Sequence, residues 1–429
     1  MTRGQTVTGG REATVSVIPG RWALSVGNPG TEPPPRFRWL PLTNLARLES
    51  GHTPSRRVPS YWNGDIPWIG IRDATRNHGR VIYSTNELVT KEGIENSSAR
   101  ILPAGTVCLS RTASVGYVVS MGKPMATSQD FVNWVCSERL RSMYLHYILV
   151  SEQESIRRFA VGSVHPTVYY PEAKAFYVCI PEPEEQDAIL SVLCALDEKI
   201  TVNNRIADTA RDLAQAYFRS AQESADVDDV EIASVVEFLN RGVAPRYTED
   251  HLQLRVLNQK CIRDGRVNLA PSRWTLSNKV SDDKMLRVHD VLVNSTGMGT
   301  LGRVARWTNP GAATVDSHVT IVRFDQAKTD PVCAGFALLD AELEIEALGQ
   351  GSTGQTELNR TQLSGLRITV PSRESAAKLR PILDALESRG DSALKESLSL
   401  AQLRDTLLPK LMSGELRVRD AEKVVEDVT

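Results

Sequence analysis

Two long helical segments, each directly after a proline, constrain this 429-residue chain most strongly. A short apolar stretch ends at Pro181 and another at Pro371, and after each the apolar residues recur at alternating spacings of three and four. That pattern predicts a helix with a coiled-coil seam. The two prolines are 190 positions apart, and Gly162 and Gly351 in the loops before them are 189 positions apart. The chain is therefore expected to fold as two equivalent halves, each ending in a long helix.

The helices are predicted over about Glu184–Ala221 and Arg373–Met412. Helical stability comes chiefly from burying an apolar face, so each helix needs a partner, and the duplication favours an antiparallel pair related by a pseudo-two-fold axis. Asn203 either sets the register of this pair or faces solvent, and Gly390 is expected to soften the second helix. The predicted seam residues are Ile189, Leu193, Leu196, Ile200, Tyr217, Leu379, Leu383, Leu386, Leu407 and Leu411.

The segments before the helices are strand-rich and align with each other. Residues 105–112 match residues 289–296, and both read as a buried strand ending in a polar triplet. The openings, residues 39–51 and 230–242, are predicted to contain one or two helical turns ending at a glycine. The fold class predicted is α+β, with two pseudo-symmetric strand-rich domains separated by two long antiparallel coiled-coil helices.

The domain boundaries follow from these patterns. Residues 1–35, rich in Gly, Thr and Pro, are predicted to be a flexible N-terminal extension. The strand-rich domains are expected at 36–182 and 227–372, the helices at 183–226 and 373–417, and a C-terminal tail at 418–429.

Charge and composition indicate a soluble, cytoplasmic protein without a membrane span. The six cysteines contain no CxxC pair and are expected to be free thiols. Net charge is −2 overall, but residues 36–182 carry 17 basic and 12 acidic residues, a net of +5, whereas residues 228–372 carry 16 and 18, a net of −2. Arginine dominates the basic residues of both segments. Arginine suits bidentate contact with phosphate or guanine, and solvated surface arginines are the alternative interpretation.

Motifs for catalysis are missing from the sequence. Gly297–Gly302 fits GxGxxG, but the residues after it continue as a strand rather than a helix, which favours a hairpin turn. No nucleotide-binding GxxxxGK[ST] motif occurs, and the seven histidines show no metal-ligand spacing. We therefore predict neither a catalytic residue nor a metal site in this chain.

Polar triplets at strand ends remain as candidates for function. They occupy equivalent places in the two halves but differ in side-chain chemistry, as two sites that read different targets would. Asn, Gln, Arg, Ser and Thr are the types that contact phosphates and base edges. The candidate DNA-binding residues are Ser110, Arg111, Thr112, Gln129, Asp130, Ser163, His165, Arg241, Arg246, Asn294, Ser295, Thr296, Arg303, Ser317, His318, Ser352, Gln355 and Arg360.

The duplicated organisation, together with residues 180–189, 196–205, 351–358 and 408–418, resembles the specificity subunit of type I restriction-modification systems. The resemblance covers about Phe37 to Val418. It implies that each strand-rich domain is a target-recognition domain that reads one half of a bipartite, asymmetric site in double-stranded DNA. The helices would set the spacing and dock two methyltransferase subunits, and two restriction/translocase subunits would complete the complex.

The resemblance further implies a non-catalytic chain that binds no cofactor itself. S-adenosylmethionine, ATP and Mg would be bound by the partner subunits. Two other hypotheses compete with this one. The chain could be a coiled-coil scaffold that joins protein partners without reading bases, or a stand-alone DNA-modifying enzyme.

Overall fold

The computed structural model describes residues 17–162, 166–223, 226–349 and 357–426. Two compact units divide the chain. The first unit comprises residues 1–202 and 396–429, and the second unit comprises residues 203–395. Each long helix contributes one half to the first unit and one half to the second.

The first unit contains a four-stranded sheet in the order β1-β2-β12-β3, a three-stranded sheet β10-β5-β7 and a five-stranded sheet β4-β11-β8-β9-β6. Most pairings are antiparallel, whereas β10–β5 and β6–β9 are parallel. The strands are β1 (Ile18–Pro19), β2 (Leu24–Val26), β3 (Phe37–Pro41), β4 (Ala46–Ser50), β5 (Trp62–Ile69), β6 (Arg80–Ile82), β7 (Glu87–Val89), β8 (Val107–Ser110), β9 (Val118–Met121), β10 (Ala126–Thr127), β11 (Phe131–Cys136) and β12 (Phe176–Pro181).

The second unit repeats this plan with the sheets β13-β24, β14-β23-β20-β21, β15-β19-β16-β22 and β17-β18. Its strands are β13 (Val227–Glu231), β14 (Val236–Arg241), β15 (Tyr247–Thr248), β16 (Leu254–Leu257), β17 (Ile262–Arg263), β18 (Arg266–Val267), β19 (Arg273–Thr275), β20 (Val291–Asn294), β21 (Val304–Arg306), β22 (Ala313–Val315), β23 (Val319–Phe324) and β24 (Arg367–Pro371).

The helices complete the repeat, and the predicted α+β class is confirmed. No described helix is long and apolar enough to cross a membrane. The helices are α1 (Ile71–Arg76), α2 (Lys91–Glu95), α3 (Ser142–Ser151), α4 (Gln153–Phe159), α5 (Tyr170–Lys174), α6 (Pro183–Gln222), α7 (Ile232–Val235), α8 (Pro331–Asp340), α9 (Glu342–Leu348), α10 (Arg360–Ser364), α11 (Arg373–Met412) and α12 (Val418–Glu426).

The two long helices, α6 and α11, are 40 residues each and about 60 Å long. In the first unit Leu193 of α6 and Leu400 and Leu407 of α11 belong to the same core as the sheet residue Trp134. In the second unit Phe218 of α6 and Leu383 of α11 share a core with strands β20 and β21. In each unit, therefore, the two helices and part of the sheet structure share one apolar cluster.

Contacts within each unit show that α6 and α11 run antiparallel. In the first unit the Ser397 hydroxyl donates to the Ile200 carbonyl at 3.4 Å, and Arg404 pairs with Asp197 at 2.5 Å. The residue number thus rises on one helix as it falls on the other. In the second unit Gly390 faces the backbone of Ala207. Helix α11 continues unbroken through this glycine, so the expected softening produces no helix break.

The seam differs from its prediction at one end. Tyr217 is 44% exposed, and its neighbour Phe218 is fully buried in its place. An α-helix drifts by about 20° per heptad against a strict 3.5-residue repeat, so an extrapolated seam position slips by one residue near the helix end. Asn203 is 2% exposed, and the interpretation that it faces solvent is therefore wrong. The other predicted seam positions are buried or partly buried, namely Ile189, Leu193, Leu196, Ile200, Leu379, Leu383, Leu386, Leu407 and Leu411.

The predicted flexible extension at 1–35 is wrong for residues 17–26. Strands β1 and β2 form an antiparallel hairpin that adds to β12. The buried carboxylate of Glu152, in the link between α3 and α4, accepts hydrogen bonds from the backbone amides of Arg21, Trp22 and Ala23 at 2.8, 2.5 and 2.7 Å. A distant carboxylate thus anchors a segment whose composition alone indicates disorder. Residues 1–16 lie outside the described residues.

Two further corrections concern the openings and the C-terminal segment. The helical turn predicted in residues 39–51 is a single short 3-10 turn, Leu42–Asn44, followed by strand β4. In the other half α7 is followed by β14. Pairing with β11 and β23 converts these segments into strands. Part of the predicted tail is helix α12, whose Ala421 is fully buried in the first unit.

We predict that Glu152→Ala releases the N-terminal hairpin. Three backbone amides, of which that of Ala23 is buried, lose their acceptor, and hydrogen bonds to a charged group contribute about 1.5–3 kcal/mol each. Hydrogen exchange at residues 21–23 and tryptic cleavage after Arg21 should both accelerate. Glu154→Ala, at an exposed position in the following helix α4, should leave both rates unchanged. Equal protection in the Glu152→Ala protein would show that the carboxylate is not the anchor.

We also predict that Gly390→Ala stabilises the protein by about 0.5–1 kcal/mol, because glycine carries an entropic penalty inside a helix. A Cβ at position 390 meets its nearest atom, the Ala207 carbonyl oxygen, at 3.6 Å, which is ordinary contact. Urea denaturation measures the change. Gly335→Ala, also inside a helix, is the matched contrast, since its Cβ would lie 2.7 Å from Nε of Arg306. A loss of stability in Gly390→Ala would contradict the close but unstrained packing described here.

Candidate nucleic-acid interface

Strand ends in the first unit converge on one cluster of loops, which we define as residues 51–53, 110–112, 128–130 and 167–168 and call the first loop cluster. The amide of Arg111 donates to the carbonyl of Asp130 at 2.8 Å, and the amide of His52 donates to the carbonyl of Thr127 at 2.9 Å. Gly51 packs so closely that an added Cβ would lie 1.9 Å from the Ser128 carbonyl oxygen. Backbone contacts therefore hold these loops together.

The second unit forms the same arrangement from residues 242–244, 294–296, 316–318 and 357–358, the second loop cluster. The Ser295 amide donates to the His318 carbonyl at 2.9 Å, and the Val243 amide donates to the Val315 carbonyl at 2.9 Å. Gly242 would place a Cβ 2.0 Å from the Val315 carbonyl oxygen. Each contact is the counterpart of one in the first loop cluster.

A fourth segment joins each cluster at an equivalent place. The Val168 amide donates to the Arg111 carbonyl at 2.8 Å, and the Leu358 amide donates to the Ser295 carbonyl at 2.9 Å. Val168 and Leu358 are 190 positions apart, the same offset as the two prolines that precede the long helices. The repeat thus extends to individual backbone hydrogen bonds.

The side chains on these shared backbones differ. Arg111 occupies the position of Ser295, and Asp130 occupies that of His318. Gln129, which is exposed, corresponds to Ser317. At these positions the first cluster therefore presents an arginine, an amide and a carboxylate, whereas the second presents the Ser317 hydroxyl and the His318 imidazole.

Arg111 is partly held in place in the first loop cluster. Its Nε donates to the Gln129 carbonyl at 3.1 Å, and its guanidinium carbon lies 4.8 Å from the ring centre of Tyr170. Burial raises the pKa of Tyr170, with Arg111 acting in the opposite direction. Thr53 donates a short hydrogen bond to the Gln129 side chain, and the hydroxyls of Thr112 and Thr167 are 3.0 Å apart.

A chain of polar side chains lines the second loop cluster. The hydroxyl of Thr296 lies 2.8 Å from Nδ1 of His318. The Gln259 amide donates to the Thr296 hydroxyl and carbonyl at 2.5 and 2.9 Å. His318 is exposed and Ser317 is partly buried. The imidazole and the two hydroxyls thus form a polar surface.

Three of the predicted contact residues are wrong as surface groups, because they are buried. Ser110, Asn294 and Ser295 are all fully buried. The Ser110 hydroxyl accepts from the Tyr117 amide, and the Asn294 amide donates to the Gln259 and Thr300 carbonyls, so both brace the hairpin turns that follow. Buried polar groups of this kind satisfy the backbone and stabilise the loops.

The predicted arginines of the second unit fall into two classes. Arg241 pairs with Glu357 at 2.7 Å and donates to the Leu358 carbonyl, and Arg303 donates to the Gly299 carbonyl at 2.8 Å. Arg246 and Arg360 are exposed. Four remaining candidates, Ser163, His165, Ser352 and Gln355, lie outside the described residues.

Other site residues escaped the sequence analysis. Thr53, Tyr170 and Gln259 lie far in sequence from the residues they contact, Gln129, Arg111 and Thr296, and no local pattern marks them. Arginine–aromatic pairs were also missed. Arg56 lies over Trp62 at 4.0 Å in the first unit, and Arg273 lies over Tyr247 at 3.5 Å in the second.

The part of the chain that the structure describes contains neither a dinucleotide-binding loop at Gly297–Gly302 nor a group of metal ligands. Gly297–Gly302 connects the antiparallel strands β20 and β21, so the predicted hairpin turn is confirmed. Within residues 17–162, 166–223, 226–349 and 357–426, no three His, Cys, Asp or Glu side chains are grouped to hold a metal ion. The polar atoms of the clusters serve hydrogen bonding.

Comparisons with known proteins agree with this architecture. Residues 39–210 match the family model described as type I restriction modification DNA specificity domain. The MjaIX type I restriction enzyme specificity subunit of Methanocaldococcus jannaschii is 24% identical over 406 residues, covering 88% of this chain and 93% of that protein. The EcoprrI specificity subunit of Escherichia coli is 26% identical over 171 residues, covering 38% and 42% of the two chains.

A solved structure shares the fold. The crystal structure of the type I restriction-modification system S subunit from M. genitalium aligns with a TM-score of 0.57 at 15% identity, covering 90% of this chain and 97% of that one. Residues 39–210 therefore match the type I restriction modification DNA specificity domain, and the chain as a whole is similar in sequence and in duplicated fold to type I restriction-modification specificity subunits.

Proposed function

We propose that this chain is the DNA-sequence-specificity subunit of a type I restriction-modification complex and is itself non-catalytic. The observation that carries the proposal is the pair of loop clusters, which keep the same backbone hydrogen bonds and present different side chains. Two readers of two unlike sequences need a common scaffold and separate contact chemistry.

The first loop cluster suits base contact in the major groove. A guanidinium can donate two hydrogen bonds to guanine O6 and N7, and a glutamine amide can pair with adenine. Arg111 is steered by the Gln129 carbonyl and by Tyr170, which lowers the cost of ordering it on DNA. Arg111 and Gln129 are the proposed base-reading residues of the first unit, and Thr112 and Asp130 flank them.

The second loop cluster reads with hydroxyl and imidazole groups. Thr296, Ser317 and His318 can each donate to or accept from a base edge. The exposed arginines Arg246 and Arg360 are proposed to contact phosphates, which position a protein on the duplex without carrying sequence information.

The division of labour along the chain follows. Residues 36–182 and 227–372 are proposed as the target-recognition domains, each reading one half of a bipartite, asymmetric site. Residues 183–226 and 373–417 would set the spacing and dock two methyltransferase subunits. In the complete complex S-adenosylmethionine, ATP and Mg would be bound by those subunits and by two restriction/translocase subunits. The antiparallel contacts of α6 and α11 support a rigid spacer.

We predict that Arg111→Ala relaxes recognition of one half-site and His318→Ala relaxes the other. Each lost base contact should cost about 1–3 kcal/mol, or roughly 5- to 150-fold in discrimination at one position. The measurement is methylome sequencing of a host carrying the complex. Arg139→Ala is the matched control, because Arg139 is exposed beyond the opposite end of β11. Unaltered targets in both variants would favour a scaffold that does not read bases.

Asn294→Ala should act through stability. The buried Asn294 amide donates two hydrogen bonds, and its loss leaves the Gln259 and Thr300 carbonyls without that donor. We expect about 1–3 kcal/mol of destabilisation in urea denaturation. The methylated sequence should stay the same, whereas Ser317→Ala should leave stability unchanged and alter the target. A changed target with unchanged stability in Asn294→Ala would return this residue to the contact surface.

A further inference from the structure

Two acids on the long helices occupy equivalent places and meet the strand-rich parts of their own units. Asp197 of α6 and Glu387 of α11 are 190 positions apart. Asp197 accepts a hydrogen bond at 2.5 Å from the hydroxyl of Tyr147 on α3. Glu387 forms an ion pair with Arg306 on β21. Each acid thus connects a long helix to the remainder of its unit, and we call the contacts around Asp197 and Glu387 the first and the second junction.

The cation at the first junction comes from the other long helix. Arg404 of α11 donates to Asp197 at 2.5 Å. The α3 side of this junction is neutral. Behind Tyr147, the fully buried His146 hydrogen-bonds through Nδ1 with the Ser120 hydroxyl at 2.8 Å. Burial lowers the pKa of His146 to about 4, so the ring is uncharged at neutral pH.

The cation at the second junction comes from the sheet. Strand pairing shows that Arg306 is the counterpart of Ser120, since Ser120 pairs with Val107 and Arg306 with the equivalent Val291. The Arg306 side chain is 1% exposed, and its guanidinium carbon lies 4.9 Å from the ring centre of Phe336. Phe336 is the counterpart of Tyr147, 189 positions later in the chain.

Two further substitutions between the halves make this arrangement possible. Gly335 corresponds to His146, and a Cβ on Gly335 would lie 2.7 Å from Nε of Arg306. The absence of a side chain at Gly335 therefore leaves the space that the Arg306 side chain occupies. On the helix side Ala214 corresponds to Arg404, and it is fully buried. A methyl group thus stands in α6 where α11 has its arginine.

We infer that these positions match each recognition domain to its own long helix. Each acid has one arginine, which α11 supplies in the first unit and β21 supplies in the second. The functional side of the inference rests on the proposed function. If the first domain packed on Glu387, that acid would have no arginine, because the first domain carries Ser120 in place of Arg306. If the second domain packed on Asp197, its Arg306 would add a second arginine beside Arg404. The two acids are partly buried, with side chains 28% and 20% exposed, and removing one partner of a buried ion pair is destabilising. This matching of one arginine to each acid therefore determines which domain packs on which helix, and with it the order of the two half-sites.

The test moves the arginine from sheet to helix in the full-length protein. Arg306→Ser leaves Glu387 without its cation and should lower Tm by about 10 °C. Adding Ala214→Arg supplies the arginine from α6, as Arg404 does for Asp197, and should recover at least half of that loss. Ala214→Arg alone puts two arginines beside one acid and should lower Tm. Strictly additive effects of the two substitutions on Tm would overturn the inference.

The first unit offers the reciprocal experiment. Arg404→Ala should lower Tm, and adding Ser120→Arg with His146→Gly should restore part of it by delivering the arginine from β9. The same pair of substitutions on the wild-type background should destabilise. Absence of any rescue in both units would mean that the two junctions are not interchangeable versions of one device.

Methylation separates positioning from stability. In complex with methyltransferase subunits, the Arg306→Ser protein should no longer recognise one half-site, so methylation of the bipartite target should be lost. The Arg306→Ser, Ala214→Arg double variant should regain this methylation, with the original spacing between the half-sites. Recovery of Tm with methylation still lost, or with altered spacing, would overturn the positioning role. If the wild-type complex methylates without sequence preference, the proposed function fails, whereas the coupling in Tm stands or falls independently.

Discussion

The structure depends on burial of one face along each of two 40-residue helices. A solvated helix of this composition is marginal, because most of its stability must come from tertiary packing. Leu193 and Leu407 meet the apolar core of the first unit, and Phe218 and Leu383 meet that of the second. In each unit the long helices, their antiparallel pairing and the packing of the sheet therefore depend on the same apolar cluster. Removing any one of them would expose the apolar surface of the others.

That shared core leaves the strand ends free to differ. Backbone hydrogen bonds, such as that from Arg111 to Asp130 and its counterpart from Ser295 to His318, hold the loops without using side chains. Gly51 and Gly242 allow the same close approach of two backbones. Because these contacts run through the backbone, the exposed side chains can differ between the two clusters while the backbone arrangement is kept.

The helix junctions show the opposite behaviour. There we expect a change on one side to require a change on the other, because the groups are charged and partly or fully buried. Arg306 needs the space at Gly335 and the acid Glu387, and Asp197 draws its cation from Arg404. A solvated loop side chain can be replaced singly at little cost, whereas removing one partner of the Arg306–Glu387 pair leaves the other without its counter-charge.

The sequence by itself determined the duplication, the α+β class and both long helices, with the second helix matching its predicted bounds, Arg373–Met412. These features follow from local periodicity and from proline and glycine punctuation, which act over a few residues. Tertiary structure alone decided that Asn294 is buried while His318 is exposed, that Thr53 and Gln259 join the clusters, and that residues 17–26 form a hairpin on Glu152. Burial and partnership at those positions depend on groups tens to more than a hundred residues away, and no local pattern records a contact of that range.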